Sequence, residues 1–318
     1  MGAGARWLGL AGAAAAVAAA PLLWPSSYVV GTLVFIGLNA LAALGLSLVM
    51  GFAGQVSLGQ AAFFAIGAYV SGVLSASHGW NPWASLAVAV AAGAVTAWAV
   101  GLPVFRLSGL LLAMATLGFG IVVYYVLVNW ASVTGGPSGL AGIPPLAVGG
   151  FRLDTDRRML WLTWGLLLLA LGLAGNLADS RIGRALRAIH ANEAAAQAAG
   201  IDTSRLKLGV FSLAGALTAL AGGLYAHYLT FINPSPFGFT YSVELVVMVV
   251  LGGVTSLRGA VLGAAAVVAL VEVLRALLPL LTVAPGAAEY EIVAFGLILI
   301  AVMMAAPAGL GSLTRRPT

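Results

Sequence analysis

The chain has 318 residues, 62% of them hydrophobic and 7% charged, with a mean hydropathy of +1.07 and a formal net charge of +5. Soluble globular chains carry about 25% charged residues, so this one lacks the polar surface to coat a water-soluble particle and takes the bilayer as its main solvent. It has no cysteine, which excludes disulfides, thiol nucleophiles and thiolate metal sites.

On a window of about 19 residues, about ten apolar stretches are long enough to cross, or nearly cross, a membrane. In chain order they are Trp7–Trp24, Val29–Met50, Gln55–Ser77, Trp83–Leu102, Ser108–Trp130, Met159–Ala178, Leu208–Thr230, Ser242–Val254, Gly259–Leu278 and Glu289–Ala306. The expected fold class is an all-α polytopic membrane protein, with 1–318 as a single transmembrane domain and some segments short or broken. The eighth stretch is too short to span alone as a regular helix. The first admits two readings: Arg6 with the run to Ala20 fits a cleaved signal peptide, whereas Trp24 and Pro25 fit the end of a retained span, which is preferred here.

Orientation follows from where Lys and Arg fall. With a cytoplasmic N-terminus, Arg6, Arg106, Arg181, Arg184, Arg187, Arg205, Lys207, Arg258, Arg315 and Arg316 lie inside, ten of the fourteen positive charges; Arg152, Arg157, Arg158 and Arg275 lie outside. Both termini are then cytoplasmic, loop 179–207 is cytoplasmic and loop 131–158 extracytoplasmic. Trp7, Trp24, Trp80, Trp83, Trp130, Trp161 and Trp164 fall near predicted span ends, the pattern of an interfacial aromatic belt.

The cytoplasmic stretch "SRIGRALRAIHANEAAAQAAGID" (Ser180–Asp202) is the most polar and helix-prone part of the chain. Ile182, Leu186 and Ile189 share one helix face, and Arg181, Arg184 and Arg187 the other. Asn192 is placed as an N-cap with Glu193 in the first turn, where the helix dipole favours an acid. Ala194, Ala195, Ala198 and Ala199 make a smooth stripe, and Gly200 can end the helix in the left-handed conformation. Two short helices joined by a turn are expected at the membrane surface. A loop that only fixes topology needs its arginines but no capped second helix; a smooth helix fits a groove on a soluble partner. Both readings stand on the residues alone.

The same stretch resembles the cytoplasmic coupling loop of permeases in bacterial ABC importers of the branched-chain amino acid type. "GFAGQVSLGQAAFFAIGAYV" (Gly51–Val70), "NWASVTGGPSGLAGIP" (Asn129–Pro144) and "VELVVMVVLGGVTSLRGAVLGA" (Val243–Ala264) resemble that family too, in the family's order. "EAAAQAAG" is also similar to the EAA-then-glycine signature of other ABC importers, with one residue more before the glycine. The resemblance implies a second related permease subunit, two cytoplasmic ATPases, an extracytoplasmic substrate-binding protein, and location in the bacterial inner membrane; nucleic acid is not among the implied partners. It implies no cofactor in this chain, with ATP and Mg held by the ATPase. The implied ATPase-contact set is Arg181, Gly183, Arg184, Arg187, Glu193, Ala194, Ala195, Gly200 and Ile201. The implied cargo is a branched-chain or related apolar amino acid, with urea or short amides as the alternative. Family members commonly carry an acid and then a base in the fifth span, where this chain has Ile121 and Tyr124.

The chain has no nucleotide site of its own. A P-loop needs glycines before Lys-Ser or Lys-Thr, and the single lysine, Lys207, stands between Leu206 and Leu208. An ion-coupled secondary transporter and a passive channel are the rival classes. The former needs ionisable groups within the membrane; the candidates are Glu244 and Glu272, with Glu289 and Glu291 at a span edge. A carboxylate at mid-span costs about 2.5–3.5 kcal/mol, which places Glu244 near the outer end of its segment or against a protein-lined cavity. Glu272 and Arg275, three residues apart, form an expected pair.

"GFAGQVSLGQ" (Gly51–Gln60) and "LGGVTSLRGA" (Leu251–Ala260) resemble each other, each with glycines, then Ser-Leu, then Ala three residues on. They are read as two tight turns of a diverged internal repeat, or as broken helices of the kind that line a substrate path. On the second reading Gln55, Ser57, Gln60, Ser256 and Glu244 line the path. Gly215, Ala219 and Gly223 recur every four residues, predicting a close helix contact inside this subunit or against a second permease. His78, His190 and His227 stand singly, so no metal site is expected.

Overall fold

A computed structural model describes residues 26–149 and 151–281, with the isolated positions 296, 304, 309 and 310. Apart from those positions, the predicted spans Trp7–Trp24 and Glu289–Ala306 lie outside the described residues, as do Arg6, Arg315 and Arg316. Helix α1 (Ser27–Ser47) runs into a π-helical turn, Leu48–Phe52. Helices α2 (Gln60–Ala76), α3 (Pro82–Val104) and α4 (Leu110–Asn129) follow. A short α5 (Ala131–Thr134) and a 3-10 turn lead through strands β1 (Leu140–Ala141), β2 (Ala147–Val148) and β3 (Phe151–Arg152) to α6 (Asp156–Asp179). Helices α7 (Arg181–Ala191) and α8 (Glu193–Ala198) precede the long α9 (Thr203–Leu229). Strand β4 (Phe231–Ile232), a 3-10 turn, α10 (Phe239–Gly252) and α11 (Leu257–Leu281) complete the described fold.

Among the described residues, six segments are long and apolar enough to cross a membrane: Ser27–Phe52, Pro82–Val104, Leu110–Asn129, Asp156–Asp179, Thr203–Leu229 and Leu257–Ala276. The two shorter apolar helices are α2 and α10, and both abut one of the glycine-rich breaks. The helix starts follow local chemistry. Asn81 Oδ1 accepts the Trp83 amide at 2.9 Å with Pro82 in the first turn of α3, and Asp202 Oδ1 accepts the Arg205 amide at 3.1 Å at the head of α9.

Helix α9 lies at the centre, against α1, α2 and α3. With hydrocarbon on the outside, helices associate through close packing of small residues. A methyl group on Gly215 would fall 2.8 Å from Gly93 O on α3, one on Gly67 would fall 2.0 Å from Ala219 O, and one on Gly222 would fall 1.9 Å from Phe64 O. The small-residue stripe therefore packs inside this subunit. Gly223, the third member of the predicted stripe, packs more loosely, with its Cβ 2.5 Å from the movable end of Leu86 and 3.5 Å from Gly67 O, and the neighbouring Gly222 makes the tighter approach.

Loop 131–158 is folded rather than a plain loop. β1 pairs antiparallel with β4, and β2 with β3. Left-handed glycines at Gly135, Gly139 and Gly142 shape it, and a side chain on Gly139 would strike Ile232 O at 2.4 Å. The tryptophans divide. Trp80, Trp130 and Trp161 are exposed as a belt requires, whereas Trp83 Nε1 donates to Ala147 O at 2.7 Å and Trp164 Nε1 to Leu33 O at 2.9 Å. Those two serve as internal ties, because a buried indole N–H must find an acceptor.

His227, on α9, is buried and bridges three segments. Its Nδ1 donates to Pro144 O at 2.7 Å, so Nε2 is the acceptor for the Ser71 hydroxyl at 2.8 Å. The loop is thus pinned to α2 and α9. Replacing His227 by Ala leaves a buried carbonyl and hydroxyl unpaired, which costs about 1–3 kcal/mol. The purified protein is expected to melt earlier and to be cut sooner by protease within 139–147; an unchanged melting temperature would show that the bridge adds nothing.

Candidate functional site: the polar hairpin and the broken segment

The hairpin begins where α6 ends. Ser180 accepts the Gly183 amide at 3.3 Å and donates to Leu177 O at 2.7 Å, turning the chain. Gly183 is buried in this corner; a methyl there would stand 2.2 Å from Ala178 O. Arg184 donates to Asp179 O at 3.0 Å and Arg187 to Ala178 O at 2.7 Å, so both cations meet the carbonyl end of α6, where its dipole is negative. Arg181 is exposed at the head of α7. The buried face of α7 is Gly183, Leu186 and Ile189; Ile182 is 45% exposed. Leu186 and Ile189 are thus buried as expected, and Gly183 takes the place of Ile182 because α7 rests on the end of α6, where only a glycine fits.

Helix α8 has the expected ends. Asn192 Oδ1 accepts the Ala195 amide at 3.0 Å. At the other end Gly200 has φ +83, with Gly200 N bonded to Gln197 O at 2.9 Å and Ile201 N to Ala196 O at 3.1 Å, a Schellman motif. Glu193 Oε1 accepts Lys207 Nζ at 2.5 Å, with the Lys207 side chain only 4% exposed, and Gln197 donates to Thr203 at 3.0 Å. Helix α8 is therefore tied to the first turns of α9. Ala196 faces inward, and Ala194, Ala195, Ala198 and Ala199 face out. An Asn192→Ala variant loses the cap, about 1 kcal/mol, so hydrogen exchange at the Ala195 amide is expected to quicken about fivefold. Unchanged protection there would contradict the capping role.

The hairpin touches the first break. After the π-turn the chain reverses at Gly54, with φ +66, and a methyl on Gly54 would lie 3.1 Å from His190 Nδ1 and 3.4 Å from His190 Cα. Residues 54–59 then have no regular secondary structure, and α2 starts only at Gln60. This first break is not a tight turn, the first of the two readings from sequence. Its backbone is satisfied by distant side chains: Leu58 N donates to Thr116 Oγ1 at 3.0 Å and Ala61 N to Ser242 Oγ at 3.1 Å. The second break is a tight turn: Ser256 N bonds Gly253 O at 2.9 Å, and Ser256 Oγ accepts Gly259 N at 3.0 Å. The breaks meet, since Ser47 Oγ donates to Val254 O at 3.1 Å and a methyl on Gly51 would overlap that carbonyl at 2.0 Å.

The five path candidates sit at the two breaks and on α2 and α10. Gln55 is half-buried, its amide donating to Ala53 O at 3.1 Å, and Ser57 is buried, accepting Gly59 N at 3.4 Å. Gln60 is buried, accepting Thr218 Oγ1 at 2.9 Å, while its Nε2 has no partner. Ser256 caps α11. Glu244 is partly exposed on α10, eight residues before its end and so about 12 Å from the second break at 1.5 Å per residue. Glu272 lies 3.8 Å from Arg275 and also accepts the Tyr28 hydroxyl. Ile121 is exposed on α4, beside the half-buried Tyr124. The Gly54–His190 contact was not evident from sequence, because neither residue carries a pattern that points to the other.

A family model described as "Branched-chain amino acid transport system / permease component" matches residues 28–303. The chain is 32% identical over 295 residues to the high-affinity branched-chain amino acid transport system permease protein LivM of Salmonella typhimurium (strain LT2), covering 86% of this chain and 67% of that protein. It matches LivM of Escherichia coli (strain K12) to the same extent. It is 28% identical over 293 residues to the permease protein LivH of the same E. coli strain, covering 85% of this chain and 90% of that one. No solved structure matches.

Proposed function

Because this chain belongs to the family of branched-chain amino acid transport system permease components, we propose that it is the membrane-spanning subunit of an ATP-driven importer of branched-chain or related apolar amino acids. It works with a second related permease, two cytoplasmic ATPases carrying ATP and Mg, and an extracytoplasmic binding protein. It crosses the inner membrane ten times, with both termini cytoplasmic. The hairpin 179–207 is the cytoplasmic handle, with Arg181, Ala194, Ala195, Gly200 and Ile201 at or near its outer surface. Gly183, Arg184, Arg187 and Glu193 hold its shape through the contacts already described.

The observation that carries the reading is the α7–α8 hairpin: rigidly capped at both ends of α8, tied to α6 and α9, yet presenting a bare alanine surface. A topological anchor needs no such construction, and a groove-fitting helix does. Its contact with Gly54 supports a mechanism. Closure of the ATPases moves α7 and α8, His190 bears on the left-handed reversal at Gly54, and the irregular segment 55–59 shifts against α4 and α10. The two breaks, joined through Val254, then move together as access alternates.

The test is uptake of leucine into proteoliposomes holding this permease with its partner permease and ATPases, driven by loaded binding protein. Uptake is expected to need ATP and to persist when ion gradients are collapsed. Uptake that proceeds without ATP, follows a proton or sodium gradient and loses that dependence in Glu244→Gln would instead establish a secondary transporter.

A further inference from the structure

A cavity lies between α1, α2, α9 and α10, apart from the hairpin, walled by Phe35, Asn39, Phe64, Tyr225, Phe237 and Tyr241. Its rings meet mostly edge to face. Phe64 stands 5.0 Å from Tyr241 and 5.5 Å from Tyr225, and Tyr225 stands 5.9 Å from Phe237, centroid to centroid. The centres of water-sized spheres have ≈ 50 Å³ inside it. One water needs about 10–15 Å³ on that measure, so the space suits a group of a few heavy atoms. Two polar side chains of the wall are engaged with it: Tyr241 donates to Asn39 Oδ1 at 3.0 Å, and Asn39 Nδ2 donates to Phe35 O at 2.9 Å. What remains facing the space is largely apolar.

Two unpaired polar groups stand on α2 outside this lining, one on each side of Phe64 in sequence. Among the described residues, Gln60 Nε2 and Tyr69 Oη are buried without a hydrogen-bond partner. Gln60 precedes Phe64 by four residues and so lies on the same face of α2, one turn nearer the first break. Tyr69 packs on Phe237 at 6.0 Å. Buried polar groups left unpaired are rare in proteins and call for an explanation such as a ligand. The depth fits a transport path: Phe35 is eight residues into α1, about 12 Å along it from the end opposite the hairpin.

We propose that this aromatic cavity receives the aliphatic side chain of the transported amino acid, with the Gln60 amide donating to its carboxylate. The assignment rests on the substrate class given under Proposed function. An aliphatic group gains from leaving water for such a pocket, and a neutral amide can serve the carboxylate without a buried charge. Alanine, with a single methyl, leaves most of the space empty, so the pocket favours larger aliphatic side chains.

The test uses the complete importer in proteoliposomes. During turnover it is illuminated with a leucine analogue bearing an aliphatic diazirine, and the label is mapped by mass spectrometry. Label is expected on peptides carrying Phe64, Tyr225 or Phe237, suppressed by excess leucine. Leu38, also in the wall, supplies the variants: Leu38→Phe, with Leu38→Met as the volume-conserving control, while the label map stands as the test should the larger ring impair folding. Leu38→Phe is expected to lower leucine uptake relative to alanine uptake by about tenfold, the scale of pocket discrimination between apolar side chains. Leu38→Met, which keeps the volume, leaves that ratio near wild type. Label confined to other segments of an importer that takes up leucine overturns the cavity assignment alone, as does an unchanged ratio in folded Leu38→Phe. An unaltered importer that takes up neither leucine nor its analogue overturns the substrate class, and the cavity assignment falls with it.

Discussion

An importer whose permease carries Ala195→Arg is expected to lose ATP-driven uptake by about 100-fold, the effect of removing about 3 kcal/mol from a central contact. Ala195 is exposed in the middle of the α8 stripe, and its amide bond to Asn192 does not involve the side chain. Arginine is as helix-compatible as other long side chains. The permease itself should therefore fold and reach the membrane at the normal level, but no longer hold the ATPases through purification. Ala195→Ser, which keeps the surface small, should retain most uptake. Arginine one residue on, at Ala196, would act differently: that side chain is 4% exposed, and its replacement would damage the hairpin itself. Normal uptake and normal ATPase recovery with Ala195→Arg would remove α8 from the docking surface.

Gly54→Val is expected to separate ATP hydrolysis from transport. The reversal at Gly54 needs φ +66, and a β-branched residue held there costs about 1–3 kcal/mol. Its Cβ would also press on the His190 ring from 3.1 Å. The alanine stripe is untouched, so ATPase recovery and hydrolysis should persist while uptake falls by about tenfold or more, in line with that strain. Asn tolerates the left-handed region better than other side chains, so Gly54→Asn should be milder than Gly54→Val. An unaltered ratio of amino acid imported to ATP hydrolysed in Gly54→Val would rule out the contact as the transmission point.

What could be read from the residues alone was what local chemistry decides. Asn192 as cap and Gly200 as stop depend on partners within five residues, so the limits of α8 were accessible. The apolar stretches in the described region likewise became helices, because long hydrophobic runs have few alternatives in a bilayer. Features with distant partners were hidden. Helix α2 starts at Gln60 instead of Gln55 because Thr116 and Ser242 satisfy backbone amides of an irregular segment, and hydropathy does not report such bonds. Trp83 and Trp164 turned inward to the carbonyls of Ala147 and Leu33, which span-end position alone did not foretell. His227 looked solitary because Ser71 and Pro144 are far away in sequence. The ribbons in loop 131–158 depend in part on pairing of Leu140 with Ile232 beyond α9. The buried face of α7 shifted from Ile182 to Gly183 because the helix lies on its neighbour's carbonyl end, a contact periodicity cannot show. The aromatic cavity draws on four helices, and no single stretch carries its signature.

The absence of native cysteine makes one measurement direct. Single cysteines at Ala195 and Ala199 in the assembled importer are treated with a short bifunctional thiol cross-linker, with and without ATP. Cross-links are expected from both positions to an ATPase subunit, with a yield that changes on nucleotide binding, along with protection of both thiols from a membrane-impermeant reagent added outside intact cells. Labelling of either thiol from outside the cell, or thiols that cross-link to no protein in an importer that still transports, would contradict the hairpin's role as the cytoplasmic handle.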